Sequence, residues 1–180
     1  MELVKVTSSS DPLLAQVPFL YESAFPPIAR ICTQGLLELV EEHPAMTFNA
    51  ITDNGSFCGM AVTWDLGDYR YLEYFAVLPS MRNKGIGAQA LAALKGQSAT
   101  PIVGEAELPV LDIQKRRIAF YLRNGFLVVS DNPSILNGYH SDNLLCLLST
   151  SPLDDAEECQ RQIIDKVYRV MQAKDALLTH

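Results

Sequence analysis

The chain has 180 residues, room for one sizeable core. An apolar share of 48% and a charged share of 19% are those of a folding protein and exclude a disordered one. Lys and Arg number 14 against 21 Asp and Glu, so the formal charge is −7; such a field repels nucleic-acid backbones and anionic membranes and favours a cationic small molecule or amine.

Leu3 to Val6 reads as a short first strand, and the charges at Glu2 and Lys5 break any apolar leader, so no secretory signal is expected. No apolar run approaches the roughly 18 residues of a membrane span, and a cytoplasmic protein is expected, with no membrane or nucleic-acid partner. Asp11-Pro12 starts a helix, because Asp accepts from free first-turn N–H groups and Pro at the first position loses no needed donor; it ends before Pro26-Pro27. A second helix is expected from Ile28 to Glu42, stopped by His43-Pro44. Met46 to Thr52 and Phe57 to Trp64 flank Asp53-Asn54-Gly55-Ser56, a hairpin whose Asn-Gly supplies the positive φ of a tight turn. Tyr69 to Val77 extends this into a three-strand meander broken by Leu78-Pro79-Ser80.

From Gly85 a Gly-, Ala- and Leu-rich helix runs to Lys95-Gly96, with the glycine as its stop. A strand over Ile102 to Leu108 follows, then a helix over Leu111 to Asn124, capped by a left-handed Gly125 with Phe126 folding back. Strands near Phe126 to Ser130 and Asn143 to Leu148 flank a loop with Asn132-Pro133 and Asn137-Gly138. Pro152 to about Ala176 is helical, with Ile163, Val167, Val170 and Met171 on one face; packing on its own domain is the first expectation and a homodimer contact the alternative. Cys32, Cys58, Cys146 and Cys159 are scattered, with no C-x-x-C or histidine pair, and read as free thiols; no metal is expected. The order implies a single α/β (α+β) domain: a mixed sheet of about seven strands flanked by helices over residues 1–150, with a C-terminal helical extension over 151–180 packed on it.

The chemistry concentrates in Arg82-Asn83-Lys84-Gly85-Ile86-Gly87-Ala88, between a strand and a helix start. Glycines admit an anion close to the backbone, first-turn N–H groups point along the positive end of the helix dipole, and Arg82 and Lys84 add charge: a pyrophosphate cradle on an acidic protein. Gly85-Ile86-Gly87-Ala88-Gln89-Ala90 also satisfies the dinucleotide fingerprint G-x-G-x-x-A, with Glu105 where a ribose acid belongs. Spacing opposes that reading, because a dinucleotide fold places its glycines directly after the strand, whereas Leu78 to Lys84 intervene here, and a meander is the wrong precursor for a βαβ half.

Leu72-Glu73-Tyr74-Phe75-Ala76-Val77-Leu78-Pro79 followed by Arg82-x-x-Gly85-x-Gly87 resembles the GNAT superfamily of acyl-CoA-dependent N-acyltransferases, and Arg117 to Phe126 resembles its A-x-F-Y-x-x-x-G-F helix end. The resemblance spans about residues 1–150 and implies acetyl-CoA as cosubstrate, its thioester arm entering between splayed strands. Phe75, Ala76 and Val77 are then expected to face the arm, with Val77 or its neighbour donating to the thioester oxygen, and Arg82, Asn83, Lys84, Gly85, Ile86, Gly87 and Ala88 to hold the pyrophosphate. Asn83 replaces a glycine many relatives carry, which Asn's tolerance of left-handed backbone allows, and Gln114 replaces a frequent Asn.

The implied reaction is direct amine attack on the thioester, with Tyr121 as acid to the departing sulfur. Glu73 is the preferred base, since strand alternation puts it on the face of Phe75 and Val77 unless a bulge changes the parity; Glu105 and Glu107 are alternatives. The acceptor, a small amine or a peptide N-terminus, is expected against the first two helices and the loop from Asp131 to Asp142, where Tyr21, Glu22, Phe25, Tyr139 and His140 lie. A non-catalytic acyl-CoA-binding sensor is the competing function.

Overall fold

The computed structural model describes residues 1–131 and 145–178. The expected loop residues Asn132-Pro133, Asn137-Gly138, Tyr139 and His140 lie outside the described residues. Seven described strands form one mixed sheet in the order β1-β2-β3-β4-β5-β7-β6: β1 (Glu2–Val6), β2 (Met46–Asp53), β3 (Ser56–Asp65), β4 (Arg70–Val77), β5 (Ile102–Glu107), β6 (Leu127–Ser130) and β7 (Leu145–Ser149). The first four strands are antiparallel neighbours, β4 and β5 are parallel, and β5, β7 and β6 return to antiparallel pairing. Asn54 at φ 49° and Gly55 at φ 76° make the β2–β3 turn with the paired left-handed residues a two-residue hairpin requires.

Helices cover both faces. On one face α1 (Val17–Ala24), α2 (Thr33–Glu42) and the terminal helix pack on Phe48, Val62, Trp64, Tyr71 and Tyr74. On the other, α3 (Ile86–Gly96) and α4 (Asp112–Arg123) enclose Ala61, Leu72, Leu91, Leu94, Ile118 and Phe126. The terminal helix comprises α5 (Ala156–Ile163), a π-turn over Ile164–Tyr168 and α6 (Arg169–Leu178). Its buried stripe, Cys159, Ile163, Val167 and Met171, is part of the same core as the sheet.

Two local expectations change. Asp11 does accept from Leu13 N–H (2.9 Å), but it starts a 3-10 turn over Pro12–Gln16 before α1 begins. The second helix begins at Thr33 instead of Ile28, because Pro27–Ala29 forms its own 3-10 turn and Arg30 and Cys32 are extended. That break is held from afar: Arg30 Nε donates to the Phe25 carbonyl at 3.0 Å, and Cys32 N–H donates to Asp175 Oδ1 of α6 at 2.8 Å. The glycine-rich helix ends at Gly96 as expected, although that residue is not left-handed, and Lys95 of its last turn reaches across to the Asn124 carbonyl at 2.6 Å. Gly125, by contrast, is left-handed at φ 82°, and Phe126 N–H folds back to the Tyr121 carbonyl at 3.1 Å, with Gly125 N–H on Leu122 at 3.1 Å. Among the described residues no helix is long and apolar enough to cross a membrane.

Candidate active site

The parallel ladder between β4 and β5 holds for Arg70–Ile102, Tyr71–Val103 and Leu72–Gly104 and then stops. Each strand continues on its other edge: β4 stays paired with β3 to Val77, and β5 with β7 to Glu107. The two strands therefore part. Leu78 N–H donates to the Cys58 carbonyl on the β3 side at 2.8 Å, so alternation turns the N–H groups of Phe75 and Val77 to the opposite edge, where among the described residues no ladder continues. Extended backbone groups stripped of strand partners demand another partner.

The wedge opens onto the glycine loop. After a 3-10 turn over Pro79–Met81, Asn83 (φ 62°) and Gly85 (φ 78°) both take left-handed backbone and aim the chain into α3. The first bond within α3 runs from Gln89 N–H to the Gly85 carbonyl at 3.0 Å, leaving the N–H groups of Ile86, Gly87 and Ala88 ahead of it. At Gly87 a side chain would meet Phe120 Cζ at 3.2 Å, and Phe120 stacks on Phe75 with centroids 6.3 Å apart, so the floor of the loop is packed tight. Arg82 Nε donates to the Val77 carbonyl at 3.2 Å, tying loop to strand.

Strand wedge, loop and helix ends line one groove of about 930 Å³. Of the expected cosubstrate residues, Phe75, Ala76, Val77, Arg82, Asn83, Gly85, Ile86, Gly87 and Ala88 line it. Lys84 does not; its Nζ lies 3.7 Å from Met81 Sδ on the exposed side of the loop. Gln114 is engaged elsewhere, its Oε1 accepting from Val110 and Leu111 N–H (3.1 and 2.7 Å) to cap α4.

Deeper in the groove lies a cluster of acids and tyrosines. The β3–β4 register steps from Val62–Tyr74 to Thr63–Leu72, so Glu73 is an extra residue in β4, a bulge. The bulge reverses the parity that simple alternation predicts: Tyr71, Tyr74 and Ala76 face the core under α1 and the terminal helix, whereas Leu72, Phe75 and Val77 face α3 and α4. Glu73 thus leaves the face of Phe75 and Val77 and joins Tyr71 and Glu105. Tyr71 Oη donates to Glu105 Oε2 at 3.2 Å and lies 2.9 Å from Tyr168 Oη, and Tyr168 Oη contacts the same Glu105 oxygen. Glu73 Oε2 and Glu105 Oε1 are buried with no hydrogen-bond partner among the described residues.

Burial, reinforced by the charge of Glu105, pushes the Glu73 carboxyl up to about 8. Burial also raises Glu105, to about 6, held back by the hydroxyls of Tyr168 and Tyr71. Near neutrality the pair shares one proton, with Glu105 as the ionised member. Glu107, the third carboxylate singled out from sequence, is drawn away by Arg117 at 2.7 Å. Tyr121 lies between Phe120 and Phe126, with centroids 5.4 and 5.3 Å away, and burial pushes its hydroxyl up to about 12, so it keeps a proton to give.

Phe25 reaches the groove wall together with Ser23, Ala24 and Pro26. Tyr21 is instead wholly buried against Tyr74 at 4.9 Å, and Glu22 accepts from Thr33 Oγ1 at 2.6 Å. Sequence reasoning missed Tyr71 and Tyr168. The available signal for Tyr168 was the spacing Cys159, Ile163, Val167, Met171, four residues each time, too long for a straight 3.6-residue helix and natural for one widened by a π-turn. Among the described residues no group of three or more His, Cys, Asp or Glu gathers to hold a metal ion.

A model of the acetyltransferase (GNAT) family matches residues 14–126. A solved chain from Bacteroides thetaiotaomicron, assigned to the GNAT family as an acetyltransferase, is 30% identical over 93% of this chain and 98% of its own, with a TM-score of 0.81. An aminoglycoside 6'-N-acetyltransferase complexed with coenzyme A is 19% identical over 86% of this chain and 100% of its own, with a TM-score of 0.63. The ribosomal-protein-S18-alanine N-acetyltransferase from Escherichia coli is 15% identical over 86% and 96%, at 0.58. These last two share the fold. No curated protein matches the chain.

Proposed function

The chain belongs to the GNAT acetyltransferase family, and we propose that it transfers the acetyl group of acetyl-CoA to a primary amine by direct attack. The observation that carries this reading is the wedge between β4 and β5, which opens directly onto the glycine loop within one groove. The unladdered N–H groups of Phe75 and Val77 and the Phe75 C=O suit the amides of a pantetheine arm, and the first-turn N–H groups of Ile86, Gly87 and Ala88 with Arg82 suit a pyrophosphate. A Cβ at position 87 would press on the Phe120 ring at 3.2 Å, so the glycine there lets loop and ring pack closely.

The bound thioester supplies an electrophilic carbonyl and a sulfur leaving group. The chain's own residues manage the protons. An amine reaches neutral pH as an ammonium, and Glu105, the ionised member of the acid pair, takes one proton to free the nitrogen lone pair. As the nitrogen–carbon bond forms, charge moves onto the carbonyl oxygen, where the N–H of Val77 or its neighbour stabilises it. The carbon–sulfur bond then breaks, Tyr121 gives its proton to the sulfur, and the new amide nitrogen returns one. Glu73, protonated near neutrality, adds no second charge beside Glu105.

The acceptor end of the groove carries Phe25 beside Glu73 and Glu105, an aromatic wall with carboxylates that suits a cationic amine. The two fold neighbours named for an aminoglycoside and for a ribosomal-protein alanine show that this fold serves acceptors of both sizes. The test is free-thiol release from acetyl-CoA across a panel of small amines and peptide N-termini. Release is expected with one acceptor class, and Tyr121→Phe should lower it about 10²-fold or more without weakening CoA binding. Binding with no release on any amine would replace this reading with a sensor; no binding would remove both.

A further inference from the structure

We propose that Tyr168, brought in by the terminal helix, is a positioning residue of the active site: its hydroxyl fixes one oxygen of Glu105 so that the other is presented, unpartnered, as the proton acceptor. This rests on the acetyl-transfer reading for the identity of the reaction, and on the geometry alone for the positioning.

Tyr168 and Tyr71 both address Glu105 Oε2 and lie 2.9 Å from each other. The hydroxyls of Tyr168 and Tyr71 both donate toward the carboxylate, and either can donate to the other. Both rings are nearly inaccessible, 3% and 5% exposed, and meet edge to face at 87°. All the described hydrogen-bond donors of Glu105 thus fall on Oε2, while Oε1 is buried and bare. A carboxylate serving structure alone would pair with a cation or fill both oxygens, because a buried, half-satisfied charge is costly. No Lys or Arg is bonded to Glu105 among the described residues; Arg117 is spent on Glu107.

The π-turn explains how the terminal helix delivers this group. The turn widened by one residue at Ile164–Tyr168 carries Val167 and Tyr168, both buried, into the core against the sheet. The segment is pinned on both sides: Lys166 Nζ donates to the Leu66 carbonyl at 2.8 Å, and Asp175 accepts from Cys32 N–H at 2.8 Å. The terminal helix itself lies beyond residue 126, outside the part of the chain that the family model matches.

The titratable groups coupled to Glu105 are Tyr71 and Glu73 from β4, Tyr168 and Cys159 from the terminal helix and, from the other face of the sheet, Cys146 of β7. Burial raises both thiols, so they remain neutral, and the tyrosine hydroxyls are the donors that favour the charged carboxylate. Tyr168→Phe keeps the ring and removes the proton, so the acidic limb of the kcat profile should move to higher pH by about one unit. The defect is then about fivefold at pH 6 and gone above pH 8, with KM for acetyl-CoA unchanged. Tyr71→Phe should shift the limb the same way by less. Carbon-13 titration of the Glu105 carboxyl reads the same rise without any turnover. A wild-type enzyme that turns over normally while Tyr168→Phe leaves both profile and carboxyl titration in place would overturn the positioning role. A wild-type chain silent on every amine would overturn the reaction instead, whatever the carboxyl titration gives.

Discussion

A carboxyl group whose proton affinity rises on folding destabilises the native state as pH climbs, since the unfolded chain ionises first. Glu73, raised from 4.5 to about 8, is in that position. Its folded pKa lies above its unfolded value, so the native state is favoured below about pH 4.5 and loses stability from there to about 8. Glu73→Gln removes the liability, and denaturant unfolding should show a gain on the order of 1–4 kcal/mol at pH 8 that shrinks to nothing near pH 4. A gain of equal size at both pH values would mean that the substitution acts through packing. The type of this residue was visible in the sequence, but its direction was not. Alternation counts residues, and a single extra one opposite Val62 and Thr63 reverses the answer. Asn83 and Gly85 were legible because left-handed backbone needs those residue types; the position of Lys84 was not, because a flexible four-carbon stem leaves no trace in a motif.

At the scale of elements, the terminal helix is the instructive case. Its apolar stripe was readable, and Ile163, Val167 and Met171 are indeed buried in the core. Its contact with the acid pair was not readable, because an apolar stripe marks the buried face and does not say which polar group the neighbouring Tyr168 meets. The late start of α2 was hidden for a similar reason: its determinant, Asp175, is 143 positions away in the chain. If the terminal helix is integral to the core, Ile163→Ala, at 0% exposure, should cost about 2–5 kcal/mol in equilibrium unfolding. A loss under about 0.5 kcal/mol would describe an appendage.

For the molecule as a whole, hairpins before the glycine loop and crossovers after it gave away the mixed sheet, since Asn-Gly turns and Gly-capped helices are local signals. The parting of β4 from β5 was accessible only through the family resemblance. Strand propensity says that a segment is extended, and not where its ladder ends. Because the wedge leaves backbone groups of both sheet halves waiting for a partner, occupation should be felt globally. At a hundred times its Kd, acetyl-CoA should stabilise the fold by about 2.7 kcal/mol and raise Tm by roughly 5–10 °C. Amide exchange should slow most at Phe75, Val77 and Ile86 to Ala88. Protection confined to α4 or to the hairpin turn would place the ligand elsewhere.

The groove is assembled from several stretches of chain: residues 75–88 at one end, and Phe25, Glu105 and Tyr168, each from a different segment, at the other. Substitutions that remodel one end leave the other end's backbone in place. On the proposed acetyl-transfer reading, the Michaelis constants for donor and acceptor should therefore respond separately to such substitutions.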